Sequence, residues 1–240
     1  MKLLVTSLLT VVLFSATAQT PDFFTNANTF FADHVKSGLI EYESIKENPT
    51  ELNVLVRQIA NYLIAGKTPE QQKAFYTNAY NILVIKQVVD ELPIDGPWDI
   101  DGFFSKTIFK VAGRDVTLDG LEKQILFPAF PDPRLHFVLV CAAIGCPPIS
   151  NYAYVPDSLE TMLDRKTREV LNINWYVRVY KDKTLISKVF DWYKKDFESD
   201  TSDIKGYINQ YREIAIPENH TLDTYEYDWS LNDAKNSFRY

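Results

Sequence analysis

The chain has 240 residues, with 25 lysines and arginines against 32 aspartates and glutamates, giving a formal charge of −7. An acidic chain without a basic run argues against nucleic acid as a main partner. Two cysteines are too few for a disulfide framework, and the three histidines, His34, His136 and His220, form no His-x-x-x-His pattern. A zinc site built from Cys141, Cys146, His136 and a distant carboxylate would lack typical ligand spacing, so neither a metal nor another cofactor is expected.

Residues 1–18 have the pattern of a secretory signal. Lys2 supplies the positive start, and an apolar run from Leu3 to Phe14 leads to Ser15-Ala16-Thr17-Ala18, an Ala-x-Ala type cleavage site. The run is shorter than the roughly 18 apolar residues of a spanning helix. The expectation is therefore export to the periplasm or the extracellular space, with residues 19–240 as a single domain and no transmembrane segment after removal of the signal.

The first half of the remaining chain reads as helical. Phe23, Phe24, Phe30 and Phe31 sit near helical spacing, and Leu52, Leu55, Val56, Ile59 and Leu63 recur at three and four residues. Thr68-Pro69 is a helix start, with Thr68 as cap and Pro69 in the first position. The segment that follows to Glu91 is apolar on nearly every face, which marks it as a buried central helix that Pro93 ends.

Beyond Pro93 the texture changes. Ile108–Val111 and Asp115–Leu118 read as a hairpin around Ala112-Gly113-Arg114, and another helix starts near Thr117 and stops at Pro128. Leu135–Val140 is apolar apart from His136 and is read as a buried strand. A helix over residues 158–171 follows, then a hairpin of Trp175–Val179 with Thr184–Ile186. Helices over 189–197 and 203–211 come next, and Ile214–Ile216 and Leu222–Tyr227 are candidate strands. The fold class is α+β: a helical N-terminal half packed on a small, mainly antiparallel sheet.

Three clusters carry candidate chemistry. The first is His136 with Cys141 and Cys146. It can be a thiol site, a short disulfide or buried packing, and strand alternation would put His136 and Cys141 on opposite faces. Pro147 suits the first position of a helix, which would place Cys146 at a helix start. The second is Asn78 and Asn81, three apart on the central helix. They are either donors at a site or amides clamping loop backbone. The third is Glu122, a carboxylate among apolar neighbours that could orient an imidazole or simply pair with a lysine.

Asn78-Ala79-Tyr80-Asn81, Leu121-Glu122, Arg134–Ala143 and Gly145-Cys146-Pro147-Pro148 together resemble the uncharacterised family called domain of unknown function 547. Ile186–Tyr193 and Tyr227–Asn232 are similar to it as well. The likeness runs from about Ala74 to Asn232. The family's pattern usually has a histidine after the glutamate, where this chain has Lys123. Its His-Phe-x-Leu-x-Cys pattern matches His136 and Cys141 and favours Cys141 over Cys146 as nucleophile. The resemblance implies no secure activity.

The expected function is a cysteine-dependent hydrolase or acyltransferase, papain- or transglutaminase-like, acting on an amide or ester in a peptide or the cell envelope. Cys141 would attack, His136 would shuttle the proton, Glu122 would orient the imidazole, and Asn78 or Asn81 would bind the oxyanion. The alternative is a non-catalytic binding or scaffold domain of the envelope.

Overall fold

The computed structural model describes residues 22–198 and 203–239, so the signal expected at residues 1–18 lies outside the described residues. The fold is α+β, with most of its long helices in the N-terminal half. Helix α1 (Phe23–His34) is capped by Asp22, whose side chain accepts from the Thr25 N–H. A two-residue hairpin of β1 (Val35–Lys36) and β2 (Leu39–Ile40) leads into α2 (Tyr42–Glu47) and α3 (Thr50–Asn61). Helix α3 stops at Asn61 and leaves Leu63 exposed, so the apolar repeat ends one step earlier than its spacing predicts.

Helix α4 (Pro69–Glu91) is the centre of the molecule. Thr68 and Gln71 form a reciprocal capping box at its start, satisfying two of the backbone donors that a helix leaves open there. From Lys73 to Val89 only Lys86 escapes burial, as its all-round apolar composition predicts. Phe75 stacks on Tyr62 at 3.9 Å between centroids and meets Phe23 edge-on at 5.2 Å, tying α1 to α4.

The hairpin after α4 forms with β3 (Phe109–Val111) and β4 (Arg114–Val116). Its turn is two residues, Ala112-Gly113, both at positive φ, and Arg114 therefore belongs to the strand. The sheet of the C-terminal half joins β5 (Val177–Val179) and β6 (Lys183–Ile186) antiparallel, with β7 (Thr221–Thr224) parallel to β6. Ile214–Ile216 forms no strand, and the helical stretch expected over 189–197 breaks at Tyr193 into Val189–Trp192 and Lys194–Phe197. A second apolar core gathers here around Phe137, Tyr176, Phe190, Phe197 and Tyr207. Among the described residues no helix is long and apolar enough to cross a membrane.

The main correction concerns Leu135–Val140. The segment is not a strand: Pro133–Phe137 is a 3-10 turn capped by the Asp132 side chain, and irregular backbone follows. Pro133 presets the first turn, and Asp132 accepts from the Arg134 N–H at 3.0 Å. A short apolar run buried on all sides has the same composition as strand or helix, so local capping decides between them.

Candidate active site

The irregular segment after Phe137 is held by side chains instead of by a sheet. Asn81 donates to the Val138 carbonyl at 2.8 Å and accepts from the Val140 N–H at 3.0 Å. It stands in for a neighbouring strand. Asn78 does the same for Tyr154, donating to its carbonyl at 2.7 Å and accepting from its N–H at 3.0 Å. Both amides are thus consumed in clamping loop backbone, and neither lines the cavity described below. They are not placed to bind an oxyanion.

Past Val140, the loop 141–146 turns sharply. Ala142 has φ +61°, a left-handed conformation that costs a non-glycine residue about 1 kcal/mol or more. The strap Asp228–Asn232 from the chain's C-terminal region holds this loop in place. The Ile144 and Gly145 N–H groups donate to the Ser230 and Asp228 carbonyls, each at 2.8 Å, and the Asn232 N–H donates to Ala142 at 3.1 Å. Gly145 sits where a Cβ would lie 2.8 Å from the Tyr227 ring, which explains its residue type.

Cys141 and Cys146 are joined as a disulfide, and no free cysteine remains among the described residues. The Tyr227 hydroxyl lies 3.2 Å from each sulfur, and the Cys141 N–H donates to the Cys146 sulfur at 2.9 Å. Cys146 is not at a helix start; Pro147 and Pro148 continue in irregular backbone.

The disulfide lines a cavity of about 410 Å³ together with His136, Glu122 and a set of aromatic side chains. The loss of the strand is what allows His136 and Cys141 to share it: the 3-10 turn breaks the alternation that would have set them on opposite faces. The imidazole is sandwiched between Phe127, at 4.5 Å, and Tyr193, at 4.0 Å between centroids. Its Nε2 lies 2.8 Å from the Asp196 carboxylate. With Nε2 carrying the proton toward Asp196, Nδ1 is the nitrogen left to accept one.

Asp196, and not Glu122, therefore orients the histidine. Glu122 is buried on a helical stretch that runs from Leu118–Gly120 through a π-helical segment, Leu121–Leu126, to Phe127–Ala129. The wide turn closes through Phe127 N–H to the Glu122 carbonyl, just ahead of Pro128. The carboxylate accepts from the Tyr80 hydroxyl at 3.0 Å and the Tyr193 hydroxyl at 3.2 Å. Burial, reinforced by the Glu122 charge, pushes both phenols above their usual pKa, so both stay protonated donors. Lys123, where the family pattern usually has histidine, is at the cavity rim and pairs with Asp119 at 2.7 Å.

Sequence reasoning missed Asp196, which no spacing signalled, and Tyr193 and Tyr227, which were visible only as members of the late motifs. Among the described residues no group of three His, Cys, Asp or Glu side chains is placed to hold a metal ion. Three arms of the site are complete: an oriented imidazole, a carboxylate held by two phenols, and a sulfur pair under a third phenol.

No curated protein and no solved structure matches the chain. Residues 64–171 match a family model described as a protein of unknown function, DUF547. The matched stretch holds Glu122, His136 and both cysteines, whereas Asp196 and Tyr227 lie beyond it. The likeness to the DUF547 family thus covers residues 64–171, a little under half of the chain.

Proposed function

We propose that this chain is an exported cysteine-dependent hydrolase or acyltransferase acting on amide or ester bonds, inactive while Cys141 and Cys146 are joined. The observation that carries the reading is the convergence of Cys141 and an imidazole already oriented by Asp196 on one cavity. The chemistry of this reading is papain- or transglutaminase-like. A cystine also fits an oxidising compartment, as the export signal expects.

Activation consumes two equivalents of a small thiol or one dithiol, which is oxidised to its disulfide as the cystine becomes two thiols. His136 Nδ1 then takes the Cys141 proton. The thiolate attacks the carbonyl carbon, and the imidazolium returns the proton to the departing amine or alcohol as the acyl group becomes a thioester. Water, deprotonated by His136, or a second acceptor completes the cycle. The Tyr227 hydroxyl, already 3.2 Å from the sulfurs, would serve as a donor to the developing oxyanion.

One observation favours the non-catalytic binding reading instead. The N–H groups of Val140, Cys141, Ile144, Gly145 and Cys146 all have partners, leaving these donors of the loop committed. Hydrolysis of p-nitrophenyl acetate and of a matched anilide separates the two. Reduced protein is expected to release p-nitrophenol with an acyl group retained on Cys141 by mass spectrometry, and both signals vanish on reoxidation and in Cys141→Ala. Reduced, folded protein that never acylates Cys141 is a binding domain.

A further inference from the structure

Glu122 is 7 % exposed and has no cationic partner among the described residues. Its two hydrogen bonds come from neutral phenols, which leaves one lone pair on each oxygen and no opposite charge beside the carboxylate among the described residues. Of the other charged groups that line the cavity, Lys123 and Asp119 pair with each other, and Asp196, behind His136, is hydrogen-bonded to the imidazole. A buried carboxylate without a counter-charge is costly, and a cation supplied by a ligand removes that cost.

The cavity that Glu122 lines is lined also by four packed aromatic side chains. Trp229 lies between Trp98, at 4.8 Å, and Trp192, at 5.7 Å between centroids, and Tyr227 packs on both Trp192 and Trp229. Trp98 and Trp192 both line the cavity and remain 60 % and 46 % exposed. Indole rings attract cations over their faces, guanidinium best of all because it also stacks. The cavity's size is that of a small-ligand site.

We infer that this cavity selects a ligand bearing a cationic side chain of the guanidinium or ammonium kind, its charge set against Glu122 and its flank against Trp192 and Trp229. As a binding preference this stands on the cavity alone. As the substrate class, an amide or ester next to a basic side chain, it rests on the proposed acyl transfer.

The test separates the two. Calorimetric titration of the oxidised, full chain with benzamidine and with benzamide compares a cation and a neutral molecule of the same shape, without any need for a thiol. Benzamidine is expected to bind about tenfold tighter or more, in keeping with one charge contact plus cation–π attraction. That preference is expected to disappear in Glu122→Gln and to shrink in Trp192→Leu, a substitution at a half-exposed position that keeps the inference testable if the first variant fails to fold. Equal binding of the two probes, absence of binding by either, or a preference that survives in folded Glu122→Gln overturns the inference. In a kinetic arm, reduced protein is given p-nitrophenyl esters of arginine and norleucine. Preference for arginine extends the inference to the substrate. Equal turnover of both overturns that extension, and turnover of neither overturns the acyl-transfer reading while the binding result stands.

Discussion

Replacing Asn81 with alanine removes the clamp on which the site's loop depends. The side chain is 2 % exposed, and its two partners, the Val138 carbonyl and the Val140 N–H, belong to residues that are themselves buried. Truncation leaves both backbone groups without partners and without water. Each such group costs about 1–3 kcal/mol, so the pair costs about 2–6 kcal/mol before relaxation, and about 3 kcal/mol once the loop adjusts. With a urea slope of about 2–3 kcal/mol/M, the unfolding midpoint of the oxidised protein is expected to fall by about 1 M or more. Asn81→Asp retains the acceptor for Val140 but turns a carboxylate on the Val138 carbonyl, and should be no better. A midpoint within about 0.3 M of the parent in Asn81→Ala, with an unchanged slope, would refute the clamp.

Two further substitutions probe the surroundings. Gly145→Ala places a methyl group 2.8 Å from the Tyr227 ring, so the ring must move off the sulfurs. Reduction of the cystine by dithiothreitol, followed by thiol titration, should be faster in this variant than in the parent. Asp132→Asn removes the carboxylate shared by Lys73 and Arg134. Burial alone would raise the Asp132 pKa, but hydrogen bonds from Arg134 and Lys73 outweigh it and hold it below the ordinary carboxylate value. A depressed folded-state pKa stabilises the protein above the unfolded value, near 3.9, and that contribution fades as pH falls through the lower folded value. Asp132→Asn should therefore cost about 2 kcal/mol at pH 7, less than a fully broken buried pair because Glu160 also contacts both cations. The gap between variant and parent in urea unfolding should narrow below about pH 4.

The parts of this molecule that could be read from the chain are those specified locally. Helix α4 announces itself through Thr68, Pro69 and Gln71 at one end and through continuous apolar composition along its length. The hairpin turn at Ala112-Gly113 is equally local. Leu135–Val140 has the composition of a strand but is held by the Asn81 side chain of α4, nearly sixty residues earlier, and no periodicity encodes that. The same holds for the carboxylates. Glu122 is the carboxylate that the sequence offers to His136 and Asp196 gives no sign of itself, because the first meets Tyr193, 71 positions away, and the second meets His136 across 60. Candidate residues in the His136–Cys146 segment were legible from their types. Their arrangement was not, because it depends on the strap from Asp228 to Asn232 that closes over the loop.

The most direct test of the proposed chemistry is the alkylation rate of Cys141 by iodoacetamide at pH 6 in fully reduced protein, resolved from Cys146 by peptide mass spectrometry. An ordinary thiol, with a pKa of about 8.5, is only about 0.3 % thiolate at that pH, whereas one lowered to about 6.5 by an imidazolium is roughly a quarter ionised. Cys141 in the folded protein is expected to react at least about tenfold faster than in the denaturant-unfolded chain. His136→Asn and Asp196→Asn should each return it to the unfolded rate. Equal rates in folded and unfolded parent protein, or a fast rate that persists in both variants, would contradict the account.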